Sequence, residues 1–307
     1  MPDSHRRAPR STLLAAFAAV YVIWGSTYLA IRFAVETIPP FLMAGARFVA
    51  AGGVLLAYAR ARGLVRVSRA ELRGAAIVGL FLLLLGNGAV VWAEQSVPSG
   101  ITALLVATVP VWMVVVDWLR PGGTRPRVGI FAGLALGLAG IVLLVGPGAL
   151  AGHSEFSLVA TGVLVLGSIS WAVGSIYARH APRPASAVTS NAVQMLAGGA
   201  ALLGVGVLAR EPARLAASQV TARSLWSLAY LATFGSLIGF TAYTYLLEVS
   251  TPARVSTYAY VNPIVAVFLG WALAREPVEA RTIAAAAVIL AGVAIITLAG
   301  TSARQRE

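Results

Sequence analysis

Apolar stretches about as long as the roughly 20 residues a helix needs to cross a bilayer follow one another along the chain, ten in all. They run Leu13 to Ala34, Pro40 to Arg60, Leu72 to Ala93, Pro98 to Leu119, Arg127 to Gly146, Leu158 to Ala178, Ala185 to Leu208, Leu225 to Leu247, Pro252 to Ala274 and Ala280 to Gly300. Little chain remains for loops, so any function sits among the helices. Proline marks several boundaries: Pro39 and Pro40 open the second stretch, Pro98 the fourth and Pro252 the ninth, where a first-turn proline is tolerated. Pro110 and Pro263 lie about halfway along the fourth and ninth stretches. A mid-helix proline removes one backbone hydrogen bond and kinks the helix. The pair predicts either two bending gate helices or two kinks fixed by packing.

The second half of the pattern resembles the first. At an offset of 147, Trp24 falls on Trp171, Gly52 on Gly199, and Arg47 on Gln194. Later the offset is about 153, and Pro110 falls on Pro263. Two sets of five helices, five being odd, would enter the membrane from opposite sides. The expected fold is therefore an all-α integral membrane protein of ten transmembrane helices in two inverted five-helix repeats, 13–146 and 158–300.

Composition agrees with a membrane class: 59% of residues are hydrophobic and 11% charged. The net charge of +12 raises nucleic acid as a partner, but the placement of the charge answers otherwise. With both termini cytoplasmic, the inner segments hold 16 of the 23 basic residues and the outer segments five. That is a positive-inside bias, with the basic patches meeting anionic lipid headgroups. The first stretch is too long, and too polar from Trp24 onward, for a cleaved signal. High Ala, Gly and Arg without Lys points to a GC-rich bacterial genome.

Absences narrow the chemistry. All 23 basic residues are Arg, which excludes a Walker-type phosphate loop and a lysine Schiff base. Cysteine is absent, and the three histidines, His5, His153 and His180, lie in tails or loops rather than in a metal-binding pair. An enzyme is hard to build from what remains, and no cofactor is implied.

Several intramembrane polar residues are costly and therefore informative. Arg47 cannot deprotonate and needs an anion or water. It meets a substrate or gating carboxylate, or it is an anchor paired with Glu36 or Glu94. Trp24, Thr27 and Tyr28 share one helical face, as do Trp171 and Ser175. These faces line a cavity or form part of an interfacial aromatic belt. Asn87 either binds substrate or joins helices. Tyr258 and Asn262 stand one turn apart before Pro263, and Tyr243 lies mid-span. Aromatic faces with a few amides and hydroxyls make a pocket for an amphipathic small molecule. Glu94 and Glu248 close the third span of each half. Each is a gating or proton-coupling carboxylate, or a solvated helix end. Gly129, Gly133 and Gly137 allow close packing of the fifth span, against the bundle or across a homodimer seam. Ala284, Val288 and Ala291 make a similar face on the tenth.

The runs WGSTYLAIRF (24–33), AGARF (44–48), GNGAVVWAEQSVPSGITALLVATVPVW (86–112), GSISWAVGSIYAR (167–179) and YAYVNPIVAVFLGWALAREP (258–277) resemble the drug/metabolite transporter superfamily. Within it the chain is similar to EamA-type permeases of the YedA-like branch, over nearly its whole length. The resemblance implies a ten-helix inverted-repeat carrier that exports small metabolites, often amino acids, across the inner membrane. It departs in one place: Arg275-Glu276-Pro277 follows the ninth span, whereas Arg120-Pro121-Gly122-Gly123 follows the fourth. The expected mechanism is alternating access around a cavity lined by the first, third, fourth, sixth, eighth and ninth spans, driven by a substrate or ion gradient. A channel would need a ring of like charges or of backbone carbonyls, and neither pattern is present.

Overall fold

The computed structural model describes residues 10–123, 128–145, 157–215, 219–249 and 258–304. Its helices are α1 (Arg10–Ala34), α2 (Pro40–Ala61), α3 (Arg69–Ala93), α4 (Ser99–Leu119), α5 (Val128–Val145), α6 (Leu158–His180) and α7 (Ala187–Leu208). After a helical turn at Glu211–Arg214 come α8 (the consecutive pieces Ala222–Tyr230, Leu231–Ile238 and Gly239–Val249), α9 (Tyr258–Ala274) and α10 (Ala280–Arg304). Local chemistry explains several starts. Ser68 and Glu71 form a reciprocal capping box on α3. Ser157, Ser186 and Thr221 accept from the first-turn amides of α6, α7 and α8.

Among the described residues, seven helices are long and apolar enough to cross a membrane: α1, α2, α3, α4, α6, α7 and the Ala222–Tyr243 part of α8. The apolar stretches of α5, α9 and α10 (Phe131–Leu144, Val261–Ala274 and Ala280–Ile295) are shorter. This corrects the expected ten transmembrane helices in two inverted five-helix repeats. The described residues form an all-α membrane protein with seven long apolar helices. For α5 and α9 the described length is the physical reason, whereas α10 is a 25-residue helix whose apolar stretch, Ala280–Ile295, is shorter than the helix itself. α5 has 18 residues and α9 has 17. At 1.5 Å per residue these reach about 27 Å and about 25 Å, against a hydrocarbon core of about 30 Å. The apolar run had been extended through 127, 146 and 252–257, which lie outside the described residues.

Small residues set the helix crossings. α2 lies along α7, where a Cβ on Gly45 would stand 2.7 Å from Leu203 Cγ and 2.9 Å from the Gly199 carbonyl oxygen. Only glycine allows that approach. α5 lies along α10 through Gly133, Gly137 and Gly140, which meet Ala285, Ile289 and Gly292. The small-residue face of α5 is thus used within the chain. The contacting face of α10 is offset by one residue from the expected one, since Ala284 and Ala291 are exposed while Ala285, Ile289 and Val293 are buried.

Three helices widen into π-helical stretches: Val20–Trp24 in α1, Leu80–Asn87 in α3 and Leu231–Ile238 in α8. α4 is interrupted at Ala107 and Thr108, between Ser99–Val106 and Val109–Leu119. Pro110 accounts for this break, because its ring excludes the carbonyl four residues earlier, that of Val106. Pro263 lies inside the continuous helix α9.

Candidate functional site

The π-helical stretches converge on a central cavity of about 90 Å³, lined from α1, α2, α3, α4, α6, α8 and α9. That volume has room for about three waters. Trp24, the last residue of the α1 π stretch, is its hub. The Trp24 indole N–H donates to the Gly235 carbonyl, 3.2 Å away in the α8 π stretch. Around the Trp24 ring stand Tyr243 at 5.0 Å, Phe240 and Tyr258 at 5.4 Å each, and Trp171 at 6.5 Å between centroids. Edge-on and tilted packing of this kind suits aromatic quadrupoles and gives the cavity a wall of rings from four helices.

Arg47 brings charge to this cavity. It is 4% exposed, and its Nη2 donates to Asn87 Oδ1 over a long 3.5 Å. Its guanidinium carbon lies 4.2 Å from the centroid of the Phe48 ring. Its Nε and Nη1 are buried with no hydrogen-bond partner. Buried cation donors are costly unless an anion meets them. Glu36, one of the two partners expected for an anchor role, is paired with Arg223 instead.

Glu94, the other expected partner, is fully buried just beyond α3, with both carboxylate oxygens lacking a hydrogen-bond partner. Burial and the nearby Glu276 carboxylate push its carboxyl well above the usual carboxylate range, against the opposing pull of Arg32 and Arg47. Arg32 donates to the Glu94 carbonyl oxygen rather than to its carboxylate. Arg47 and Glu94 thus share one field without closing a salt bridge.

Of the residues singled out in the sequence, Trp24, Thr27, Tyr28, Arg47, Asn87, Trp171, Tyr258, Asn262 and Pro263 line the cavity. Tyr243 stands behind it in the aromatic wall. Thr27 and Ser175 spend their hydroxyls on their own helices, donating to the carbonyls of Trp24 and Trp171. The Asn262 side-chain amide faces the carbonyls of Tyr21 and Tyr258, and with its nitrogen turned to that side it donates to both, at 3.1 Å and 3.2 Å, and ties α9 to α1. Gln194 donates to Ser190 within α7 and lies away from the lining. Pro110 is buried beside the α4 break. Glu248 belongs to α8, and its side chain lies outside the described residues. Phe240, Gly235 and Ser168 also line the cavity and were not anticipated. Phe240 follows Gly239 in an otherwise apolar run, so nothing in its spacing separates it from ordinary core.

The EamA-like transporter family matches residues 10–146 and 159–298. The chain belongs to that family. It is 42% identical over 287 residues to YedA of Escherichia coli (strain K12), described as an uncharacterized inner membrane transporter, covering 93% of this chain and 90% of that one. It is 23% identical to the uncharacterized transporter YoaV of Bacillus subtilis (strain 168), with 90% and 93% covered. A solved crystal structure at 22% identity matches with a TM-score of 0.63 over 94% of this chain and 98% of the other, which shows a shared fold. As an EamA-like protein of the YedA-like branch, the chain is a multi-pass inner-membrane transporter of bacterial type rather than a catalytic enzyme.

Proposed function

We propose that this transporter carries small metabolites with a carboxylate and an apolar or aromatic body, such as amino acids or amphipathic aromatic compounds, by alternating access. The observation that carries the proposal is Arg47, with two unpaired donors in a cavity walled by aromatic rings. The carboxylate meets Arg47 and Asn87. The body packs against Trp24, Trp171, Tyr258 and their neighbours, with Thr27, Tyr28, Ser175, Gln194, Tyr243 and Asn262 shaping or supporting the site. A cavity of about 90 Å³ admits such a molecule only when the helices part, which suits a carrier better than an open channel. The units 13–146 and 158–300 move against each other, with Pro110 and Pro263 in the bending helices.

Glu94 is the proton-coupling group. Protonated, it leaves Arg47 to the substrate; ionised, it competes for Arg47. Glu248 takes the corresponding gating role at the other face. The direction is export across the inner membrane, with the arginine-rich end and both termini cytoplasmic. α1 begins and α10 ends away from the Glu94 end, which supports placing the termini together. The chain works as a monomer, because the α5 face suited to a homodimer seam is covered by α10.

The test is counterflow in proteoliposomes preloaded with a mixed pool of amino acids and small aromatic carboxylates. Saturable counterflow of a carboxylate compound is expected, reduced at least tenfold by Arg47→Gln. Flux that does not saturate, or that Arg47→Gln leaves untouched, would reject the reading.

A further inference from the structure

The string Leu-Ala-Arg-Glu-Pro occurs twice, at 208–212 and 273–277, each time where a helix ends. The two copies form the same corner. Arg210 and Arg275 adopt left-handed backbone, φ 57° and 55°, and are the non-glycine residues that do so among those described. A long side chain rarely takes that conformation. It reverses the chain after the helix, and the following Pro212 or Pro277 prevents the helix from resuming.

Each corner throws its glutamate onto the start of a helix from the first half of the chain. Glu211 accepts from the backbone amides of Phe41 at 3.3 Å and Leu42 at 2.8 Å, at the start of α2. Glu276 accepts from the Ser99 amide at 2.9 Å, the Ser99 hydroxyl at 3.0 Å and the Gly100 amide at 3.2 Å, at the start of α4. Those two helices begin after Pro39 and Pro98 and have no side-chain cap of their own. First-turn amides need partners, and an anion is the favoured one. The sequence therefore leaves both helix starts open and fills them from about 170 residues away.

A glycine makes room in each corner. A Cβ on Gly206 would stand 3.0 Å from Glu211 Oε2, and one on Gly270 would collide with Glu276 Oε2. Both corners lie at the same end of the molecule. Glu276 acts electrostatically on buried Glu94, and Arg32 of α1 donates to the Glu94 carbonyl. Nearby, Arg223 pairs with Glu36, and Ser224 donates to the Phe33 carbonyl at 2.7 Å. At the opposite end, Thr189 donates to the Leu64 carbonyl at 3.0 Å.

We infer that the two Arg-Glu-Pro corners are a paired carboxylate latch: Glu211 and Glu276 hold the starts of α2 and α4 closed over the Glu94 end of the cavity, and release of both carboxylates opens that end. This rests on the alternating-access reading. Charge-assisted hydrogen bonds suit a latch because they are strong when formed and exchange for water when the end opens.

The protein contains no cysteine, so one introduced thiol reports on access without background. Val90→Cys, in the cavity wall one turn before Glu94, is to be labelled with a membrane-impermeant maleimide from either face of oriented vesicles, without substrate. Adding Glu211→Gln and Glu276→Gln is expected to raise labelling from the Glu94 face about tenfold and to leave labelling from the other face no higher. Gly270→Ala, which displaces the same carboxylate while keeping its charge, is expected to act in the same direction and serves if the double variant does not fold. Unchanged labelling in folded variants, or an equal rise from both faces, overturns the latch. Counterflow by the unmodified chain, measured in parallel, tells the two readings apart. Its presence with unchanged labelling removes the latch alone, and its absence removes the carrier reading.

Discussion

Arg47 and Glu94 carry opposite charges in one buried field, yet neither satisfies the other. A closed buried pair would make the site self-sufficient, whereas an open one leaves the guanidinium for a ligand. In the proposed carrier, the state of Glu94 decides which holds. Its folded carboxyl keeps its proton to higher pH than the unfolded chain does. The resulting stability is complete below the ordinary carboxylate range and is lost as pH rises through the raised value. Thermal unfolding in detergent is therefore expected to show stability falling with pH above about 4.3, the ordinary glutamate value, and Glu94→Gln to flatten that fall. A slope that survives the substitution would assign it to another group. At this scale the sequence was partly legible. Arg47, Trp24 and Trp171 stood out because charge and indole are costly to bury without purpose. Ser175 was read with Trp171 because the two share a helical face, and Gln194 was noted as the position matching Arg47; in the structure their side chains bond within their own helices, to the Trp171 carbonyl and to Ser190.

Helix starts and ends were read to within three residues for the long apolar helices, because hydropathy and capping are local. Which face each helix buries was less legible. α10 shows this: successive small residues offer several faces of similar composition, and only the fit to α5 selects Ala285, Ile289 and Gly292. Crossing geometry gives a direct test. Gly45→Ala places a Cβ against Leu203 and the Gly199 carbonyl and is expected to cost about 1–3 kcal/mol by overpacking. Gly53→Ala, on the same helix with nothing within 4 Å, is expected to be neutral or to stabilise by up to about 1 kcal/mol through helix propensity. Melting temperatures of the two variants in detergent check this. Equal shifts would mean that the α2–α7 crossing does not limit stability. The break in α4 and the continuity of α9 make the same point for proline: Pro110 and Pro263 share a spacing, and the surroundings determine which one interrupts its helix.

At the level of the whole molecule, polar ties collect at the Glu94 end and arginines at the opposite end, where Arg60, Arg62, Arg66, Arg69 and Arg73 lie close together in the chain. Under the proposed orientation, which follows the positive-inside bias, the arginine-rich end lies in the cytoplasm. A green fluorescent protein fused to the C-terminus is then expected to fluoresce, and a phosphatase fused there to stay inactive; the reverse pattern would invert the orientation. The sequence by itself determined the membrane class, the transporter family and the approximate place of each helix, since these follow from composition and from periodicity within about 20 residues. Only the tertiary structure decided which apolar runs form helices long enough to cross, which arginine is left without its anion, and where the carboxylates of the two Arg-Glu-Pro corners reach. Glu211 and Glu276 meet their partners across more than 165 residues of chain, and a contact over that separation is set by how helices pack, which no local pattern encodes.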